Sequence, residues 1–308
     1  MRHLTTILIC SLLALAAIAA TPAIGEPTPI IAAYLPDYRL AHWSGQTGPV
    51  TDLVFLGMSA PNDGRFDEKA IAQKNLDALK AIKAKAKCRL LFTVGGWEKS
   101  QGFALLAGDE KLRGPFIREA LDFCLKHGFD GIDYDWEHPE GAGQIAAYGL
   151  LVKETQAAFA GRKLIVTVAL AGWQDLGREA YEAVDRVHLM AYDHDYPQAT
   201  MEKTKADVQR LLKAGCPAGK IVVGMPFYGR NKENQAKTYA QLIAGRAVAE
   251  DVDVIDGHAF NGPATVAAKV RYARQEKLAG VMVWELGQDA AGAQSLLKVI
   301  GKETNAGQ

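Results

Sequence analysis

From Ile30 to Ile300 eight short apolar runs alternate with longer stretches of helical character. The runs are Ile30–Leu35, Asp52–Gly57, Arg89–Val94, Phe129–Asp135, Lys163–Leu170, Arg186–Tyr192, Ile221–Phe227 and Gly280–Glu285. Most are continuously apolar and rich in β-branched residues, as strands buried on both faces are. Between them Asp67–Ala86, Lys111–His127, Gln144–Phe159, Lys203–Ala214, Ala264–Gln275 and Ala291–Ile300 read as helices. Leu76, Leu79, Ile82 and Ala86 share a helical face, as do Phe116, Ala120, Phe123 and Cys124. Such alternation predicts parallel strands joined by helical crossovers. Eight of them in roughly 280 residues is the size of a (β/α)8 TIM barrel. An open doubly wound sheet is the alternative. It needs a glycine-rich turn after the first strand, where this chain has Pro36-Asp37-Tyr38. No linker interrupts the pattern, so residues 26–308 read as one domain. Asn231–Asn261 is the least regular stretch and is expected to form a long loop after the seventh strand.

The first 25 residues differ in character. Arg2 and His3 precede an apolar stretch from Leu4 to Ala20, and small residues follow at Ala17-Ile18-Ala19 and Ala23-Ile24-Gly25. This predicts a signal peptide over residues 1–25 and a secreted or periplasmic product free of the membrane. An uncleaved anchor is the alternative, but the run is marginal for a span of roughly 20 residues. The chain carries 35 basic and 35 acidic residues. That balance argues against a nucleic-acid partner, which selects a basic excess, and suits an uncharged polymer. Beyond the leader Cys88, Cys124 and Cys216 remain, an odd count that cannot complete a disulfide framework. Whether Cys88 pairs with Cys124 stays open. No C-x-x-C or H-x-x-x-H spacing is present, so neither a metal nor a cofactor is expected. The expected state is a monomer.

The segment Phe129-Asp-Gly-Ile-Asp-Tyr-Asp-Trp-Glu137 carries the chemistry. Alternate residues of a strand share a face, so Asp133, Asp135 and Glu137 are expected to project together, about 7 Å apart. In a barrel that face is the interior or its C-terminal mouth. A row of acids there is costly through desolvation and mutual repulsion, and it raises at least one pKa. A carboxyl still protonated near neutral pH is what a general acid requires. A divalent-cation site built from oxygens is the competing reading. Aromatic residues tip the balance: Tyr134 and Trp136 lie between the acids, and Trp43, Trp97, Trp173 and Trp284 follow other strands. Flat aromatic rings suit the apolar faces of sugars.

Asp130-Gly-Ile-Asp133-Tyr-Asp135-Trp-Glu137 resembles the D-x-x-D-x-D-x-E signature of glycoside hydrolase family 18, the chitinases and their relatives. Thr93-Val-Gly95-Gly96-Trp97, Met190-Ala-Tyr192-Asp193, Gly224-Met-Pro226-Phe-Tyr228-Gly229-Arg230 and Trp284 resemble, in order, its motifs on strands three, six, seven and eight. The resemblance implies a retaining, substrate-assisted hydrolysis of β-linked N-acetylglucosamine polymers, without an enzyme nucleophile. It implies that Glu137 is the acid and then the base. Asp135 would hold the substrate acetamide, Asp133 would share a proton or hydrogen bond with Asp135, and Tyr192 would donate to the acetamide carbonyl. Trp284 would floor the −1 sugar site. Tyr34, Gly95, Gly96, Trp97, Asp193, Tyr228 and Arg230 are the further expected substrate-binding positions, and Asp130 is expected to be structural. Thr93 stands where the family has serine. About fifty residues separate Tyr228 from the last strand, so the small domain many chitinases insert there is expected to be absent or vestigial. Two other activities fit the resemblance: an endo-β-N-acetylglucosaminidase acting on glycoprotein glycans or peptidoglycan, and a lectin that has lost catalysis. Retention of Glu137 argues against the lectin.

Overall fold

A computed structural model describes residues 29–305; the signal peptide expected over residues 1–25 lies outside them. Eight parallel strands close into a barrel: β1 (Ile30–Pro36), β2 (Asp52–Met58), β3 (Arg89–Gly95), β4 (Gly131–Asp135), β5 (Ile165–Ala171), β6 (Arg186–Met190), β7 (Ile221–Pro226) and, last in the chain, β12 (Gly280–Trp284). Each pairs with the next in sequence among these eight, and β12 closes the ring against β1. Helices α1 (Asp37–Leu40), α2 (Gln73–Ala86), α3 (Phe103–Gly108), α4 (Glu110–His127), α5 (Gly141–Phe159), α6 (Arg178–Ala183) and α7 (Met201–Lys213) run between the first seven strands. After α8 (Tyr239–Ile243) come α9 (Pro263–Gln275) and α10 (Leu296–Asn305).

The local reasons are legible. Asp109 caps α4 by accepting the Lys111 N–H, and Gly128 ends it in the left-handed conformation. Thr200 caps α7, and Pro263 opens α9 at its first turn, where a missing N–H costs nothing. Helix α2 starts six residues later than the periodicity predicts, because the Asp67 side chain takes the Lys69 N–H and makes a turn. Helix α10 is likewise displaced. Asp289 accepts the N–H groups of Leu296 and Leu297 and sets its start there.

Two apolar clusters form. The larger fills the layer between strands and helices. The smaller lies inside the barrel, where Ala32, Tyr34, Val54, Leu91, Val222 and Met282 meet. Above this interior layer the inward positions turn polar, and Asp133 pairs in register with Thr93 on one side and Thr167 on the other.

The loop expected over Asn231–Asn261 is folded. β8 (Tyr228–Arg230), β9 (Ala236–Thr238), β10 (Val254–Ile255) and β11 (His258–Ala259) form an antiparallel sheet in the order β10-β11-β8-β9, with α8 attached. Thr238 and Gln241 close a reciprocal capping box at the start of α8. Strands of two and three residues carry too little periodicity to be read from sequence. This sheet is what stands where an inserted domain would be. Cys88, Cys124 and Cys216 are buried and unpaired.

Candidate active site

Strand β4 delivers the acids to the C-terminal mouth of the barrel. It ends at Asp135, so Glu137 sits in the turn beyond it. Asp133 has no exposed surface. Its Oδ2 accepts from Tyr34 Oη at 2.8 Å and Thr93 Oγ1 at 3.1 Å, and its Oδ1 accepts from Thr167 Oγ1 at 2.5 Å. His188 Nδ1 lies 2.8 Å from Tyr34 Oη and 3.4 Å from Asp133 Oδ1. Burial pushes the Asp133 carboxyl up, but His188, Thr167 and Tyr34 together outweigh it and hold the group below its usual range. Asp133 is therefore a buried, fully bonded carboxylate. Its oxygens are already taken, which leaves little for a cation to coordinate.

Asp135 is different. It is 3% exposed, and its Oδ1 has no hydrogen-bond partner in the protein. Burial first, then the charges of Glu137 and Asp133 and a hydrogen bond with Glu137, push its pKa well above the carboxylate range. Glu137 is raised to about 7, chiefly by burial and by the negative charge of Asp193; the bond with Asp135 and the Trp97 N–H oppose this. Asp135 is buried and Glu137 half-buried beside it, so ionising both at once is disfavoured. Asp133 reaches Asp135 through its charge.

The β3 loop sets the height of Glu137. Gly95 and Gly96 have φ near +101° and +104°, and the Gly96 N–H donates to the Asp135 carbonyl at 2.7 Å. A Cβ on Gly95 would overlap that carbonyl and the Phe103 ring. Gly95→Ala is expected to destabilise the chain by about 3 kcal/mol through strain and overlap, read as a lowered thermal midpoint. Ser100, absent from the sequence reading, ties the turn together. Its Oγ lies 3.0 Å from the Gly96 and Asp135 carbonyls and accepts the Glu137 N–H at 3.0 Å. Ser100→Ala is expected to lower kcat about 10- to 100-fold with little change in KM, because Glu137 shifts while the exposed Trp97 and Trp173 stay in place. Steady-state kinetics checks it.

The other expected residues converge on the same mouth. Tyr192 stands over Gly224, where any Cβ would meet its ring, and its hydroxyl has the Met282 sulfur at 3.9 Å, a weak acceptor. Asp193 Oδ1 accepts from Tyr228 Oη at 2.6 Å and Arg230 Nε at 2.5 Å, so these three form one cluster. Trp284 packs against Tyr34 with ring centroids 5.6 Å apart. Tyr34 itself is 1% exposed and its hydroxyl is engaged below the acids, a place from which it holds Asp133. Trp97 and Trp173 are 72% and 62% exposed. Trp173 meets His138 edge-on at 4.7 Å, and His138 Nε2 is 3.7 Å from Glu137 Oε2.

Tyr134 and Trp136 are not sugar platforms. They sit at the opposite strand parity and point into the helix layer, where Tyr134 bonds Thr155 and Trp136 stacks on Phe103 at 5.2 Å. Trp43 packs against the core. Asp130 accepts the Leu90 N–H and pairs with Lys83, a structural place. Thr167 and His188 were missed, although each is a polar residue inside an apolar strand run, which is a readable signal. A cleft of about 640 Å³ between α2 and α4, lined by Lys80, Lys83, Lys87, Lys126 and His127, lies at the other end of the barrel and holds none of the acids.

Residues 31–289 match the profile of the glycosyl hydrolases family 18. Chitinase 1 of Aphanocladium album is 29% identical over 269 residues, covering 68% of this chain and 64% of that protein. A probable chitinase 2 of Drosophila melanogaster is 31% identical over 202 residues, 58% of this chain and 40% of its own length. The chain thus spans less than two thirds of these relatives. Among solved structures, the GH18 chitinase ChiB of Flavobacterium johnsoniae superposes with a TM-score of 0.78 at 25% identity, covering 91% of this chain and 94% of its own. The Group IV chitinase of Ostrinia furnacalis, in complex with allosamidin, gives 0.76 at 23% identity, covering 91% and 100%. With the barrel, the acid-bearing fourth strand and this match over most of its length, the chain belongs to glycosyl hydrolases family 18.

Proposed function

We propose that the chain hydrolyses β-1,4-linked N-acetylglucosamine polymers, chitin or chitooligosaccharides, with retention and with help from the substrate's own acetamide. One observation carries this reading: Asp135 is buried above a fully hydrogen-bonded Asp133 and next to Glu137, and its Oδ1 has no donor. That empty acceptor suits an acetamide N–H. In this family the acetamide replaces an enzyme nucleophile. Its carbonyl oxygen attacks the anomeric carbon as Glu137 gives its proton to the leaving oxygen. Asp135, in its ionised form, stabilises the positive charge that develops on the oxazolinium. Glu137 then takes a proton from the incoming water, which opens the ring with the β-anomer kept. The Tyr192 hydroxyl, poorly matched by sulfur, is free to donate to the acetamide carbonyl.

The names of the relatives support the substrate class, since those proteins are chitinases. The small β8–β11 sheet in place of a larger insertion is consistent with an open cleft and endo action on a polymer. Export through the leader read from residues 1–25 would bring the protein to such polymers. A thiazoline analogue of the oxazolinium should compete with substrate and bind far more tightly than the parent sugar. Absence of inhibition at high concentration counts against acetamide participation. Equal cleavage of the matching glucose oligomers would do the same.

A further inference from the structure

The segment from Tyr192 to Thr200 carries Asp193 and is anchored from outside the barrel. His194 Nδ1 accepts the Ala199 N–H at 3.3 Å, which places the ring proton on Nε2, 2.7 Å from Asp207 Oδ2. Asp207 belongs to α7 and is buried. Its other oxygen takes Arg210 Nη1 at 2.9 Å. Arg210 also donates to the carbonyl of Gly172, the residue before Trp173. The Asp207 carboxyl lies so close to Gly172 that any Cβ there would overlap it. A second anchor comes from α9: Lys269 Nζ donates to Asn261 Oδ1 at 2.7 Å, and Asn261 Nδ2 donates to the Ala199 carbonyl at 2.9 Å.

These bonds join two loops that both reach the acid. One presents the Asp193 charge to Glu137. The other presents Trp173 to His138, which adjoins the Glu137 carboxyl. We propose that Asp207, acting through His194 and Arg210, is a positioning residue that locks these two cleft walls in register with Glu137. This rests on the reading of Glu137 as the acid. Burying a carboxylate in the helix layer is a poor exchange for packing alone. Here both oxygens are bonded, and both bonds lead to a loop at the mouth rather than to the barrel beneath.

The pH sign follows from the charges in place. Glu137 faces Asp135 from β4, Asp193 and the neutral Tyr192 from the β6 loop, and His138. Asp193 faces Tyr228 and Arg230. Asp207 faces His194 and Arg210, with Lys269 on α9 farther off. The Asp193 charge favours the protonated acid. Freeing its loop withdraws that charge, so Glu137 loses its proton at lower pH.

The test is the pH dependence of chitooligosaccharide hydrolysis, from about pH 5 to pH 9, for the wild type and folded variants. Asp207→Asn is expected to lower kcat about tenfold, more than it alters KM, and to move the alkaline limb down by about half a unit. In an Asp193→Asn background, Asp207→Asn should move the limb no further. His194→Ala, which spares the Asp207–Arg210 pair, should reproduce the shift even where Asp207→Asn fails to fold. An unmoved limb in both variants, or an equal shift with and without Asp193, overturns the proposal. Glu137→Gln separates the two readings: a limb that survives it condemns the acid assignment, whereas a limb that vanishes with Glu137 and ignores Asp207 and His194 condemns only the positioning role.

Discussion

Glu137→Gln is expected to lower kcat on chitooligosaccharides by about 10³-fold or more, while binding changes little. The amide matches the carboxyl in shape and the Glu137 N–H stays tied to Ser100, so the β4 turn keeps its form. What it cannot do is give a proton to the leaving oxygen and take one back from water. The wild-type alkaline limb should fall near the pKa of about 7 that burial and Asp193 impose on Glu137. That limb should be absent from whatever activity the variant retains. Near-normal turnover would remove Glu137 from the chemistry. Calorimetric titration with an oligomer shows whether binding persists.

Asp135→Asn is expected to cost about 10²- to 10³-fold in kcat, for another reason. Asn can still hold an acetamide, but it brings no negative charge to the developing oxazolinium. The pH profile should also change. In the wild type Asp135 and Glu137 titrate as a coupled set. With Asn at 135 only Glu137 is left to titrate, so the profile should reduce to a single ionisation on its alkaline side. An unchanged profile would mean that the two carboxyls do not titrate together.

What could be read in advance followed period and parity. The eight barrel strands lie within a few residues of their apolar runs, because buried parallel strands need continuous apolar sequence. The inward parity of Asp133 and Asp135 followed from the same rule. The same rule turns Tyr134 and Trp136, at the other parity, toward the helices, where they lie. Helices α3 and α6, six residues each, are too short to show a period. The bonds that orient the site were hidden for another reason. Ser100, His194 and Asp207 act across loops, over separations that no local pattern encodes. Thr167 meets Asp133 across the β4–β5 register and His188 meets it from β6, so both contacts depend on how strands are placed together rather than on their own sequences.

The most direct test of the central claim is the anomeric form of the first product. Wild-type protein is mixed with a soluble chitooligosaccharide, and the new reducing ends are followed by proton NMR before mutarotation. The account predicts the β-anomer, formed through a substrate acetamide and lost with Glu137→Gln. Initial release of the α-anomer would mean direct displacement by water, and would contradict it.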